Sequence, residues 1–162
     1  MIKTIDEVLR GRALVSISPG ATVTEACARL DLLGVGALAV TREGRLCGIL
    51  SERDVIRRCI AAGRRTAETL VADIMTRRVV TIGRHQSLAE ARQRMTCGRF
   101  RHLPVVDASG LPVAVLSMHD IPTDCQPVPA GGAGAMTAVR VGGVPAPALG
   151  REARPADRLA AR

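Results

Sequence analysis

At 162 residues the chain is long enough for one ordinary domain or for two small units sharing a core. Its 47% apolar content can fill that core, but Phe100 is the only aromatic residue, so the filling is aliphatic. The formal charge of +8 is dispersed, with no basic run longer than two and no set of stacking aromatics, which argues against nucleic acid and suits small phosphorylated ligands. No stretch approaches the roughly 18 apolar residues that span a bilayer, and the N-terminus lacks the apolar region of a secretory leader. A soluble, cytoplasmic protein is expected. Five cysteines without a CxxC pair predict buried thiols in a reducing compartment.

In chain order, residues 2–10 predict a short helix with Ile5, Val8 and Leu9 on one face. Val15–Leu30 then aligns with Val80–Met95 at an offset of 65. Each copy holds a short β-branched run, a polar break, and a hydroxyl residue (Thr22 or Ser87) three positions before a glutamate (Glu25 or Glu90). That spacing is a capping box, and the apolar positions after it follow helical period. Gly34 and Gly98 are expected left-handed helix stops. A hairpin follows in each copy: Ala37–Val40 and Leu46–Leu50 around Arg42–Arg45, then His102–Val106 and Val113–Leu116 around Asp107–Gly110. Each hairpin ends in Ser-x-x-Asp, Ser51–Asp54 and Ser117–Asp120. Asp54 to about Ala62 predicts a closing helix that stops at Gly63, and Val71–Thr76 has helical character leading into the second copy.

With these segments in this order, Val15–Val23, Gly48–Asp54, Asp73–Thr76 and Arg99–Asp107, the chain resembles tandem CBS domains, or Bateman modules, over about residues 2–121. The resemblance implies an α/β (α+β) fold of two β-α-β-β-α repeats packed as a pseudo-two-fold pair. It divides the chain into 1–14 (N-terminal helix and lead-in), 15–63 (first repeat), 64–79 (linker), 80–121 (second repeat) and 122–162 (tail). It implies clefts for an adenosyl ligand such as AMP, ADP, ATP, NAD(H) or S-adenosylmethionine. Gly48, Ser51 and Asp54 match the family motif, in which the aspartate holds ribose hydroxyls and the Ser lies near phosphate at a helix start. Ser117 and Asp120 match it in the second repeat, and Ser16 and Thr81 match the base-side contact. Arg57, Arg58, Arg99 and Arg101 are candidate phosphate partners, because guanidinium pairs with phosphate bidentately. A homodimer and an unidentified regulated protein are the implied partners.

Plainer roles stand beside these. Ser51-x-x-Asp54 is also a capping-box variant, Arg57 and Arg58 also suit a solvated helix face, and His102 beside Pro104 reads as structural. His85, His102 and His119 are isolated, so no metal site is expected. No nucleophile–base pair, Walker loop or dinucleotide fingerprint is present, so no enzyme is expected.

The second copy departs from the pattern. Ala114 replaces the motif glycine and could narrow its cleft, and Pro122 follows Asp120–Ile121 where a closing helix should begin. From Pro122 to the end, 22 of 41 residues are Pro, Gly or Ala, a composition that predicts a disordered tail in place of that helix, as a truncation or frame change would leave. Met136–Val141 has strand character but no pattern that obliges a strand. Uncovered apolar surface is therefore expected on the second repeat unless the N-terminal helix, the tail or a partner covers it. The alternative function is a structural or dimerisation module with vestigial nucleotide sites.

Overall fold

A computed structural model of the chain describes residues 4–123 and the backbone of residues 138–140. The first repeat runs β1 (Ser16–Ile17), α2 (Val23–Leu33), β2 (Ala37–Arg42), β3 (Arg45–Ser51) and α3 (Glu52–Asp54), after the N-terminal helix α1 (Ile5–Val8). The second runs β5 (Ile82–Gly83), α5 (Leu88–Gly98), β6 (His102–Val106) and β7 (Pro112–Ser117), then a 3-10 turn at Met118–Asp120. Between them lie α4 (Val71–Ile74) and β4 (Arg78–Val80). Both sheets have one topology: β1 parallel to β2 and β2 antiparallel to β3, repeated as β5, β6 and β7. The two-repeat mixed α/β fold expected from the sequence is present.

Local chemistry explains most of these elements. Thr22 and Glu25 form a reciprocal capping box, and Gly34 takes the left-handed stop at φ 60°. In the second copy Ser87 caps Glu90 N–H, but the Glu90 carboxylate is engaged by Gln86 and Arg94 instead of returning to Ser87. Nor does Gly98 terminate α5. Arg99 takes the left-handed position at φ 55°, while Gly98 stays helical beneath the Phe100 ring, which a Cβ there would overlap. Glu43 and Gly44 both have positive φ, the two-residue hairpin geometry that matches strand twist.

The closing helix of the first repeat begins at Glu52, two residues before the expected start, and continues as a π-helical segment over Val55–Ile60. Its wider turn lets Ala61 N–H donate to Ile56 and Arg64 N–H to Cys59. Val55 and Cys59 face the core, whereas Ile56 and Ile60 are more than half exposed.

The short helices are exchanged between the repeats. Helix α4 precedes the second repeat in sequence, yet Val71, Ile74 and Met75 belong to the first core with Val23, Leu38 and Leu50. Val71 N–H donates to Ala21 and Val23 N–H to Thr69. Conversely, α1 precedes the first repeat but packs on the second. Ile5 and Leu9 join Ile82, Leu88, Leu103, Leu116 and Ile121, with Ile5 N–H on Gln86 and Asp6 ion-paired to Arg84. Among the described residues, the N-terminal helix supplies the expected cover for the second repeat.

Because Ile5 is fully buried in the second core, Ile5→Ala is expected to cost about 2–5 kcal/mol, as large-to-small changes in a core do. Denaturant unfolding that returned less than about 1 kcal/mol would contradict this exchange.

A small third cluster (Ala39, Leu46 and Val79, flanked by Leu14, Ile49 and Val115) joins the two sheets. Strand β8 (Ala138–Arg140) pairs antiparallel with β4, so this part of the tail forms a strand that the composition did not oblige. The rest of the expected disordered tail, and the expected loss of a closing helix, lie outside the described residues. Cys59 is buried and Cys27 and Cys47 are half-buried, as expected, but Cys97 is exposed, at the solvent side of the last turn of α5.

Candidate functional site: two clefts between the repeats

The joined sheets leave a cleft on each side, of about 570 and 620 Å3. The first lies above Ser51 and Asp54. Ser51 donates to Asp54 Oδ2 through its hydroxyl (2.6 Å) and its N–H (3.0 Å), while Asp54 N–H donates back to Ser51 Oγ. Ser51-x-x-Asp54 is therefore a capping box, as its plainer role requires. The cap uses one carboxylate oxygen; Oδ1 lies 3.4 Å from Arg58 Nη1 and remains at the cleft wall. Structural and binding roles are thus compatible on the same carboxylate.

The second cleft varies this arrangement: the Ser117 hydroxyl accepts from His119 N–H and lies 3.3 Å from His119 Nδ1 instead of bonding to the aspartate. Ser117 N–H donates to Asp120 Oδ2 at 2.8 Å, but Asp120 Oδ1 is taken by Arg12 Nη1 at 2.7 Å. Arg12 comes from the lead-in after α1, not from a following helix.

Of the sequence-predicted residues, Ser51, Asp54, Arg57, Arg58, Arg99 and Arg101 come together in the first cleft. Ser117 and Asp120 line the second, where Arg101 also reaches. Ser16, Thr81 and Gly48 line neither cleft. Neighbouring strand residues face opposite ways, so Val15 and Val80 present side chains to the clefts while Thr81 is buried. Gly48 serves packing instead of ligand approach: a Cβ there would stand 2.6 Å from Met75 Sδ and 3.1 Å from the Thr76 carbonyl. Ala114, its counterpart, does line the second cleft.

Several lining residues were not site candidates from the sequence, and one of them, His102, reads there as structural. Arg53, Arg78 and Phe100 line the first cleft, and Gly36, Glu52 and His102 line both. A Cβ on Gly36 would come within 2.9 Å of His102 Nε2, so this glycine seats the imidazole between the clefts. Burial first, then the Arg101 guanidinium, hold the His102 pKa below its ordinary value, against smaller opposing pulls from Glu52 and Asp120. A depressed folded-state value means that the unfolded chain binds the extra proton. Stability should therefore be undiminished above about pH 6.5 and fall as the pH drops through and below it. Melting temperatures at pH 7.5 and 5.5 check this, and His102→Asn is expected to flatten the difference; an unchanged slope would contradict it.

Among the described residues no cluster of His, Cys, Asp and Glu could hold a metal ion, and no helix is long and apolar enough to cross a membrane.

Two strand–helix–hairpin units, joined through their sheets and enclosing a cleft on either side, define a paired-repeat module. The family model "CBS domain" matches twice, at residues 5–61 and 71–121, and the chain belongs to the CBS domain family. It is 37% identical over 117 residues to the CBS domain-containing protein CBSCBSPB2 of Arabidopsis thaliana, covering 72% of this chain and 22% of that protein. The chain thus spans only about a fifth of the length of that relative. A crystal structure of the CBS domain NE2398 superposes with a TM-score of 0.70 at 32% identity, covering 75% of this chain and 95% of that one. The CBS domain protein PAE2072 of Pyrobaculum aerophilum, complexed with AMP, superposes at 0.69 with 26% identity, covering 75% and 92%.

Proposed function

We propose that the chain is a regulatory module that binds an adenosyl nucleotide in the first cleft and passes its occupancy to a partner protein. The carrying observation is one cleft that joins the Asp54 carboxylate of the first repeat to Arg99 and Arg101 of the second. A carboxylate accepts both hydrogen bonds of a ribose diol, and guanidinium groups pair with phosphate. The AMP complex of the Pyrobaculum aerophilum protein supports this class of ligand. A ligand bridging both repeats favours one arrangement of the pair over another, as a switch requires. Homodimerisation belongs to the proposal: Leu32, Leu33, Ile56 and Ile60 are exposed on the helices of the first repeat, and a second copy could cover them.

A second reading, a dimerisation module with vestigial sites, draws on the Arg12–Asp120 pair, which occupies the second ribose acceptor. Thermal shift against AMP, ADP, ATP and NAD(H) separates the two, because a ligand bound only by the folded state must raise the midpoint. A rise with at least one nucleotide is expected. A flat panel at millimolar concentration would favour the dimerisation module.

A further inference from the structure

The two clefts differ in charge far more than in size. Arg53, Arg57, Arg58, Arg78, Arg99 and Arg101 line the first, against Glu52 and Asp54 alone. Arg12 and Arg101 line the second, against Asp31, Glu52 and Asp120. Arg58 is the one arginine of the first cleft that faces a carboxylate. The other five make no ion pair and no side-chain hydrogen bond with any described residue. Guanidinium groups gathered around one cleft repel each other, and an anion reverses that repulsion. One phosphate cannot engage five of them. A chain of two or three phosphates presents more oxygens and more charge to the same wall, in a cleft whose volume suits a small-molecule ligand. In the second cleft the acids outnumber the arginines, and Arg12 already neutralises the acceptor oxygen of Asp120.

We propose that the clefts sort ligands by charge: the first selects nucleoside di- and triphosphates over monophosphates, and the second, latched by the Arg12–Asp120 pair, does not take them. This rests on the nucleotide-binding function proposed above and specifies its ligand class and stoichiometry.

Calorimetric titration of the full chain with ATP, ADP, AMP, adenosine and inorganic tripolyphosphate tests it, in EDTA so that no divalent cation masks the phosphates. ATP is expected to bind about tenfold more tightly than AMP, the worth of a few exposed ion pairs, at one ATP per chain. The preference should shrink at 0.5 M salt, because exposed charges are screened. The exposed double variant Arg57→Gln/Arg78→Gln should lower ATP affinity more than AMP affinity, so that the preference for ATP shrinks, and its unaltered melting would exclude a folding defect. AMP binding as tightly as ATP, or two equivalent ATP molecules per chain, would each overturn the sorting while leaving a bound adenosyl ligand intact. Tripolyphosphate matching ATP would show that the adenosyl group adds nothing and would overturn the nucleotide-binding function on which the sorting rests. No binding by any adenosine compound would overturn the nucleotide-binding function itself, and the sorting with it.

Discussion

Asp54→Ala is expected to weaken nucleotide binding by about tenfold to a hundredfold, the worth of charge-assisted hydrogen bonds lost from a partly enclosed site. Asp120→Ala should change it by less than about threefold, within the range of a change remote from the ligand. The asymmetry follows from what each carboxylate already holds. Both give one oxygen to their own cap, with Ser51 and Ser117 N–H at 3.0 and 2.8 Å. At Asp54 the second oxygen faces Arg58 at a loose 3.4 Å, whereas at Asp120 it is held by Arg12 at 2.7 Å. A ribose hydroxyl therefore meets a more available acceptor in the first cleft. Losing the cap also costs stability, about 1 kcal/mol, so Asp54→Asn is the companion variant. It keeps a carbonyl for the Ser51 N–H but removes the charge. Calorimetry returning the reverse order of the two alanine variants would contradict this assignment.

Gly48→Val is expected to lower stability by about 1–3 kcal/mol through overpacking, a fall in Tm of roughly 2–12 °C. The segment after α4 crosses the edge of β3 here: Ile49 and Thr76 exchange backbone hydrogen bonds, and Met75 lies against the Gly48 Cα. Met75→Ala should recover part of the loss by vacating the space. No corresponding bridge joins the lead-in to β7 among the described residues, so nothing demands a glycine at Ala114. Ala114→Gly should accordingly destabilise by a few tenths to about 1 kcal/mol, because backbone entropy rises and a buried methyl is lost. Stabilisation by Ala114→Gly, or a neutral Gly48→Val, would reverse this explanation of why the copies differ.

The repeat was legible because its signals are local. Thr22 and Ser87 before their helices, the two hairpins, and the two Ser-x-x-Asp caps each lie within a few consecutive residues, and they recur in the same order. The exchange of α1 and α4 was not legible. Four-residue helices carry too little periodicity to say which core they enter, and the backbone bonds from Ile5 to Gln86 and from Val71 to Ala21 are long-range facts. The site divides in the same way. Ser51, Asp54, Ser117 and Asp120 stand in local motifs, so the sequence points to them as candidates, and they line the clefts. Arg53, Arg78, Gly36 and His102 share a cleft wall only because one repeat packs against the other. Alternation along the strand before each helix was the available signal that Val15 and Val80, not Ser16 and Thr81, would turn side chains toward the clefts.

Methyl NMR during titration with ATP tests nucleotide binding at the first cleft most directly. Ile49, Val79 and Val80 line that cleft, and their methyl resonances should shift together and saturate with one ligand per chain. Unmoved resonances at millimolar ATP, or shifts confined to the exposed Leu32 and Leu33, would contradict it.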